Sequence, residues 1–174
     1  MARRGKAPPA TQLHDGSVLV AAVVTSFHPA IAARLLDGAR ERLVECGLVE
    51  PLEVLAVPGA FEAPLACQAA ARSGRFDALV VLGAVVRGET PNFGYVSETA
   101  VSGIARVSLE HHIPIGFGLL TVDTVDQAEA RAGGAVGNAG VDAVDAVVAM
   151  LNLTGSLQPS LEGQGSVVGL SNAE

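Results

Sequence analysis

"DALVVLGAVV", residues 77–86, decides the fold: it is a β-branched apolar run of the kind buried on both faces of a parallel sheet. Two upstream stretches, "SVLVAAVVTS" (17–26) and "LEVLAVPG" (52–59), read the same way, as does "IGFGLLTV" (115–122) downstream. Between them the periodicity changes. Residues 30–46 place Ala32, Leu35, Leu36, Ala39 and Leu43 at helical spacing, with Gly47 where a C-terminal cap belongs. "AFEAPLACQAAARSG" (60–74) is Ala-rich helix closed by Gly74, and residues 90–112 form the longest helix candidate, ended by Pro114. Residues 124–133 and 138–153 read as two closing helices, with Thr124 and Asn138 as N-caps. Strands alternating with helices predict a single α/β domain, a three-layer α/β/α sandwich around a four-stranded parallel sheet with right-handed crossovers.

The chain has 174 residues, 49% of them hydrophobic, which suits one core at residues 17–153. Residues 1–16 are expected to be a flexible leader and the Ser/Gly-rich residues 154–174 a disordered tail. No apolar run reads as a membrane span, and "GKAPPATQLHDG" after Arg3-Arg4 is not a signal-peptide core, so no membrane partner is expected and the compartment is expected to be cytoplasmic. A net charge of −7 argues against a nucleic-acid surface. Cys46 and Cys67 read as buried thiols. Lys6 is the only lysine and lies outside any patterned element, which excludes an enzyme-borne Schiff base or a P-loop lysine.

In an open parallel sheet, ligands bind outside the carboxyl ends of the strands. That rule selects "SFH", "PGAFE", "RGETPN" and the strand "FGLLTV". "GAVVRGET" (83–90) resembles the P-loop pattern, but Glu89 stands at the lysine position, and no glycine follows the first strand as a dinucleotide fingerprint requires. A simpler anion site remains, with Gly88 letting the backbone approach, Thr90 as N-cap and Pro91 at the first helical position; the same features also describe an ordinary capped helix. Arg131 is either a bidentate phosphate partner or a surface residue. Phe27 is a stacking platform or a core ring, and Glu62 a carboxylate for ligand hydroxyls or a complement to a helix dipole. His28 is the only histidine at a predicted site mouth.

"VPGAFE", "GAVVRGETP" and "FGLLTVDTVDQAEARAG", together with less specific blocks over residues 17–153, resemble the lumazine synthases of riboflavin biosynthesis. The resemblance implies a flavodoxin-like fold and a transferase that condenses 5-amino-6-(ribitylamino)uracil with 3,4-dihydroxy-2-butanone 4-phosphate. The Schiff-base amine then belongs to the pyrimidine, in keeping with the lysine count. By the family pattern Phe27 stacks on the pyrimidine, and Ala60, Phe61 and Glu62 meet the ribityl chain. Ala84, Val85, Val86 and Phe117 supply backbone and wall contacts, while Gly88, Glu89, Thr90 and Arg131 hold the phosphate. No cofactor and no metal are implied. The family also implies a homo-oligomer, a pentamer or a sixty-subunit shell, with active sites at subunit interfaces, and the short "GGAVGN" link favours the shell.

The chain departs from the family at ionisable positions. Asn92 stands where histidine, the proton-transfer residue, is usual; Gly94 replaces an acidic residue, Ala139 a lysine and Ser26 an arginine. An amide orients groups but does not titrate near neutrality. One reading is therefore a working synthase, of reduced activity, in which the phosphate, a water or His28 replaces the imidazole. Another is a weakened paralogue that binds a lumazine or flavin, or builds a shell.

Overall fold

A computed structural model describes residues 12–157 of the chain. The element order is β1 (Val20–Thr25), α1 (Pro29–Glu45), β2 (Glu53–Val57), α2 (Ala63–Arg72), β3 (Ala78–Val86), α3 (Asn92–His111), β4 (Ile115–Val122), α4 (Val125–Ala130), β5 (Ala132–Gly134), β6 (Gly137–Asn138) and α5 (Ala139–Leu157). The four predicted strands pair in parallel in the order β2-β1-β3-β4. Strand order reverses between β1 and β3, which makes their carboxyl ends the switch point of the sheet.

Alternation along the central strands decides the layers. Val80, Leu82 and Ala84 of β3 face α1 and α5, while Leu79 and Val81 face α2 and α3. Both faces of the central strands are covered, so the apolar residues of β3 run without interruption instead of alternating with polar ones. On α1 the residues at helical spacing, Leu35, Leu36, Ala39 and Leu43, are all buried. The helix stops in a Schellman motif, with Leu48 N–H on the Leu43 carbonyl at 3.0 Å and Gly47 N–H on the Val44 carbonyl at 3.0 Å. By length and composition α5 would pass for a membrane span, at 19 residues and mean hydropathy 1.3. Here one face of it packs into the core, with Ala143, Val144, Val147 and Val148 against β3, β4 and α1, and 28% of the span is buried.

Several boundaries differ from the sequence reading. Thr124 does cap α4, accepting from Gln127 N–H at 3.2 Å, and the Asn138 side chain accepts from Gly140 N–H at 2.8 Å at the start of α5. Helix α3, however, begins at Asn92, Pro91 already has helical torsions, and no side-chain cap bond is made, so Thr90 is not the expected N-cap. Helix α4 ends at Ala130 instead of running to 133, and residues 132–138, expected to be the helix end and the short "GGAVGN" link, form the β5–β6 hairpin. Helix α5 runs to Leu157, past the expected end at 153. Of the expected leader, residues 12–16 are described: Leu13 N–H reaches the Cys46 carbonyl at 2.8 Å, and Asn152 Oδ1 and Nδ2 bond His14 N–H and the Gln12 carbonyl. The rest of the leader and the tail beyond 157 lie outside the described residues.

Candidate active site

A cavity of about 450 Å³ opens at the carboxyl ends of β1, β2 and β3. It forms because the strands end at different levels. Pairing between β1 and β3 stops at Val24–Leu82, whereas β4 accompanies β3 as far as Val86–Val122. Gly83 still packs against Thr25 at the end of β1, and residues 84–86 of β3 outrun that strand and line the cavity.

The loops after the strands supply the side chains. Phe27 follows β1 and is 76% exposed, so its ring is open to stacking. It leans over Gly59: a Cβ built there would lie 2.8 Å from Phe27 Cε2 and 3.2 Å from Glu62 Oε2. The missing side chain thus lets the ring and the carboxylate flank one stretch of backbone. Ala60, Phe61 and Glu62 line the cavity from the β2–α2 loop, Ala84, Val85 and Val86 from β3, and Gly88, Thr90 and Asn92 from the entry to α3. His28 completes the wall beside Phe27.

Three expected site residues lie outside this cavity. Glu89 is exposed on the β3–α3 loop. Phe117 lies opposite Val81 on β4, back from the strand ends, and is 42% exposed at the edge of the sheet. Arg131 caps the end of α4, with Nη2 3.6 Å from Asp142 Oδ2. Two lining residues, Phe93 and Val96, fell outside the stretches the sequence selected, and Gly59 lay inside "PGAFE" without a role of its own. Gly59, Phe93 and Val96 line the cavity; Phe93 and Val96 follow Asn92 at one and four residues, a spacing the predicted helix already contained. Arg87, by contrast, is turned away: its Nε is 2.6 Å from Asp123 Oδ1 and its guanidinium sits 4.2 Å over the Phe93 ring. The pair clamps the loop that carries Gly88 and Thr90.

Neither cysteine offers a nucleophile. Both are buried and free, and burial raises the Cys46 thiol and pushes Cys67 up to about 12. Among the described residues no group of three or more potential metal ligands occurs. The site therefore offers an exposed aromatic face, a carboxylate, an open strand edge and a glycine-bearing loop, groups able to stack on a ring and hydrogen-bond a polyhydroxylated chain.

A family model described as 6,7-dimethyl-8-ribityllumazine synthase matches residues 17–155. The chain belongs to the 6,7-dimethyl-8-ribityllumazine synthase family. Similar relatives bearing that name include one from Campylobacter jejuni subsp. doylei, 46% identical over 144 residues, 82% of this chain and 94% of the relative. Another, from Desulfovibrio desulfuricans, is 48% identical over 125 residues, 71% of this chain and 80% of its own length. A third, from Desulfatibacillum aliphaticivorans, is 49% identical over 132 residues, 75% and 85%. The matched region begins just before β1 and ends inside α5, so the family's extent coincides with the layered core.

Proposed function

We propose that the chain condenses 5-amino-6-(ribitylamino)uracil with 3,4-dihydroxy-2-butanone 4-phosphate to give 6,7-dimethyl-8-ribityllumazine, releasing phosphate and water, within riboflavin biosynthesis in the cytoplasm. The observation that carries this is the convergence, in a member of this family, of Phe27, residues 60–62, residues 84–86, Gly88, Thr90 and Asn92 on one cavity. On this assignment Phe27 stacks on the pyrimidine, residues 60–62 meet the ribityl chain, and the open edge of β3 reads the ring with its backbone. Gly88, Glu89 and Thr90 hold the phosphate together with Arg131. Much of the rate comes from holding two reactive molecules in register.

Phe117 and Arg131 lie away from the cavity of their own protomer, which supports a site completed by a second copy of the chain. The working unit is then a homo-oligomer, a pentamer or a sixty-subunit shell, and light scattering measures its size. A monomeric active form would overturn the roles given to Phe117 and Arg131.

A steady-state assay with both substrates tests the function: product should accumulate, and tight binding of a ribityl-pyrimidine without product would make the chain a ligand-binding paralogue instead. Asn92→His should raise kcat only a few-fold, well short of the roughly 10²-fold that a general acid–base group typically contributes. A larger gain would mean that the natural chain lacks a working proton-transfer group. Gly59→Ala is expected to push the Phe27 ring off its seat and weaken ribityl-pyrimidine binding about tenfold, the order of a lost aromatic stack. Calorimetric titration reads that change, and an unaltered affinity would detach Phe27 from the pyrimidine.

A further inference from the structure

We infer that His28, and not Asn92, moves protons during the condensation, an assignment that rests on the function proposed above. His28 closes the β1–α1 turn, half-buried in the wall of the same cavity as Asn92. Although it occupies the N-cap position of α1, its side chain makes no capping hydrogen bond, so the imidazole has no structural task at the helix start. Imidazole both gives and takes a proton near neutral pH, which the Asn92 amide does not.

Among the described residues lining the cavity, His28 and Glu62 are the ionisable ones. Glu62 faces the cavity from the start of α2, beside Gly59 and under the Phe27 ring. Arg87 and Glu89, on the β3–α3 loop, do not line the cavity, and Arg87 is held by Asp123. Arg34, on α1 itself, is directed toward Gly133. Glu62 is thus the one charged side chain that shares the cavity with His28, and its carboxylate is placed for ribityl hydroxyls.

The step most in need of a proton carrier is dehydration of the carbinolamine formed when the pyrimidine amine adds to the ketone. Protonated His28 gives its proton to the carbinolamine oxygen. The C–O bond breaks with its electron pair leaving as water, the nitrogen lone pair closes the C=N bond, and the N–H proton passes to the imidazole. His28 ends the step as it began.

The test is kcat and KM for both substrates across the neutral pH range in the wild type, His28→Ala and His28→Asn/Asn92→His. His28→Ala should lose about 10²-fold in kcat with little change in KM, lose the wild-type pH dependence of kcat, and regain rate on addition of free imidazole. The double variant, with the imidazole moved across to position 92, should recover most of the loss. Wild-type kcat and pH profile in His28→Ala, or a loss confined to KM, would overturn the assignment; no product from the wild type would overturn the function itself.

Discussion

Gly83→Ala is expected to lower the thermal unfolding midpoint by roughly 10 °C or more, and to cost about 3–5 kcal/mol of stability. Gly83 sits in β3 at φ +153, a torsion that L side chains rarely adopt, directly against Thr25 at the end of β1. A Cβ there would overlap Thr25 Oγ1 and lie 2.9 Å from Thr25 Cβ and 3.1 Å from its Cγ2. Because the Cβ itself is too close, turning the threonine to another rotamer does not relieve the clash. Thr25 is 2% exposed and its hydroxyl has no hydrogen-bond partner, so the packing around it is tight and polar relief is absent. The double variant Thr25→Ala/Gly83→Ala removes Oγ1 and Cγ2 and should recover part of the loss, the remainder reflecting the torsion and the residual Cβ overlap. Calorimetric or circular-dichroism melts check this, and a single variant melting within about 2 °C of wild type would refute it. Since Phe27 and Ala84 flank the pair, the single variant should also be inactive at temperatures where it remains folded.

Arg131→Ala is expected to raise KM for the ketone phosphate by about 10²–10³-fold while leaving the fold intact, since a charge-assisted pair in a closed site is worth about 2–5 kcal/mol. The same substitution removes the Arg131–Asp142 ion pair, which spans 3.6 Å between side chains 39% and 61% exposed and is worth less than about 1 kcal/mol. Arg131→Lys should recover only part of the affinity, because an ammonium does not reproduce a bidentate fork. Mixed subunits provide the decisive measurement. A Cβ at Gly88 meets no atom within 4 Å, so Gly88→Trp blocks the cavity from its rim without disturbing the core. Neither variant alone should turn over efficiently, but co-assembled subunits regain activity wherever an open cavity meets an intact Arg131. Activity no greater than the sum of the two would place the whole site within one protomer.

Much of the architecture was legible because burial imposes simple patterns. The β-branched run of β3 and the spacing of Leu35, Leu36, Ala39 and Leu43 reported a covered strand and an amphipathic helix before any packing was known. The β5–β6 hairpin was not legible: "AGGAVGN" has neither alternation nor β-branched residues beyond Val136, and its shape depends on Gly133 and Gly137 at positive φ. The start of α3 slipped because Pro91 is compatible with more than one position in a first turn. Within the site, residues that follow strand ends were found by topology alone, as Phe27, Glu62 and Gly88 show. Gly59 and Gly83 were not, since their importance lies in what a distant side chain occupies beside them. Phe117, within "FGLLTV", and Arg131, a candidate phosphate partner, were singled out in the sequence, but one chain does not bring them to the cavity.

The staggered ending of β1 and β3 also decides which substitutions the cavity tolerates. Where a ring is recognised by main-chain amides and carbonyls, the code is indifferent to which side chains the strand carries. Positions 85 and 86 then accept other strand-forming residues, whereas a Cβ at 83 would meet Thr25 and one at 59 the Phe27 ring. At 59 and 83 the cavity is shaped by the absence of atoms, and a substitution along the β3 edge leaves the main-chain groups there in place.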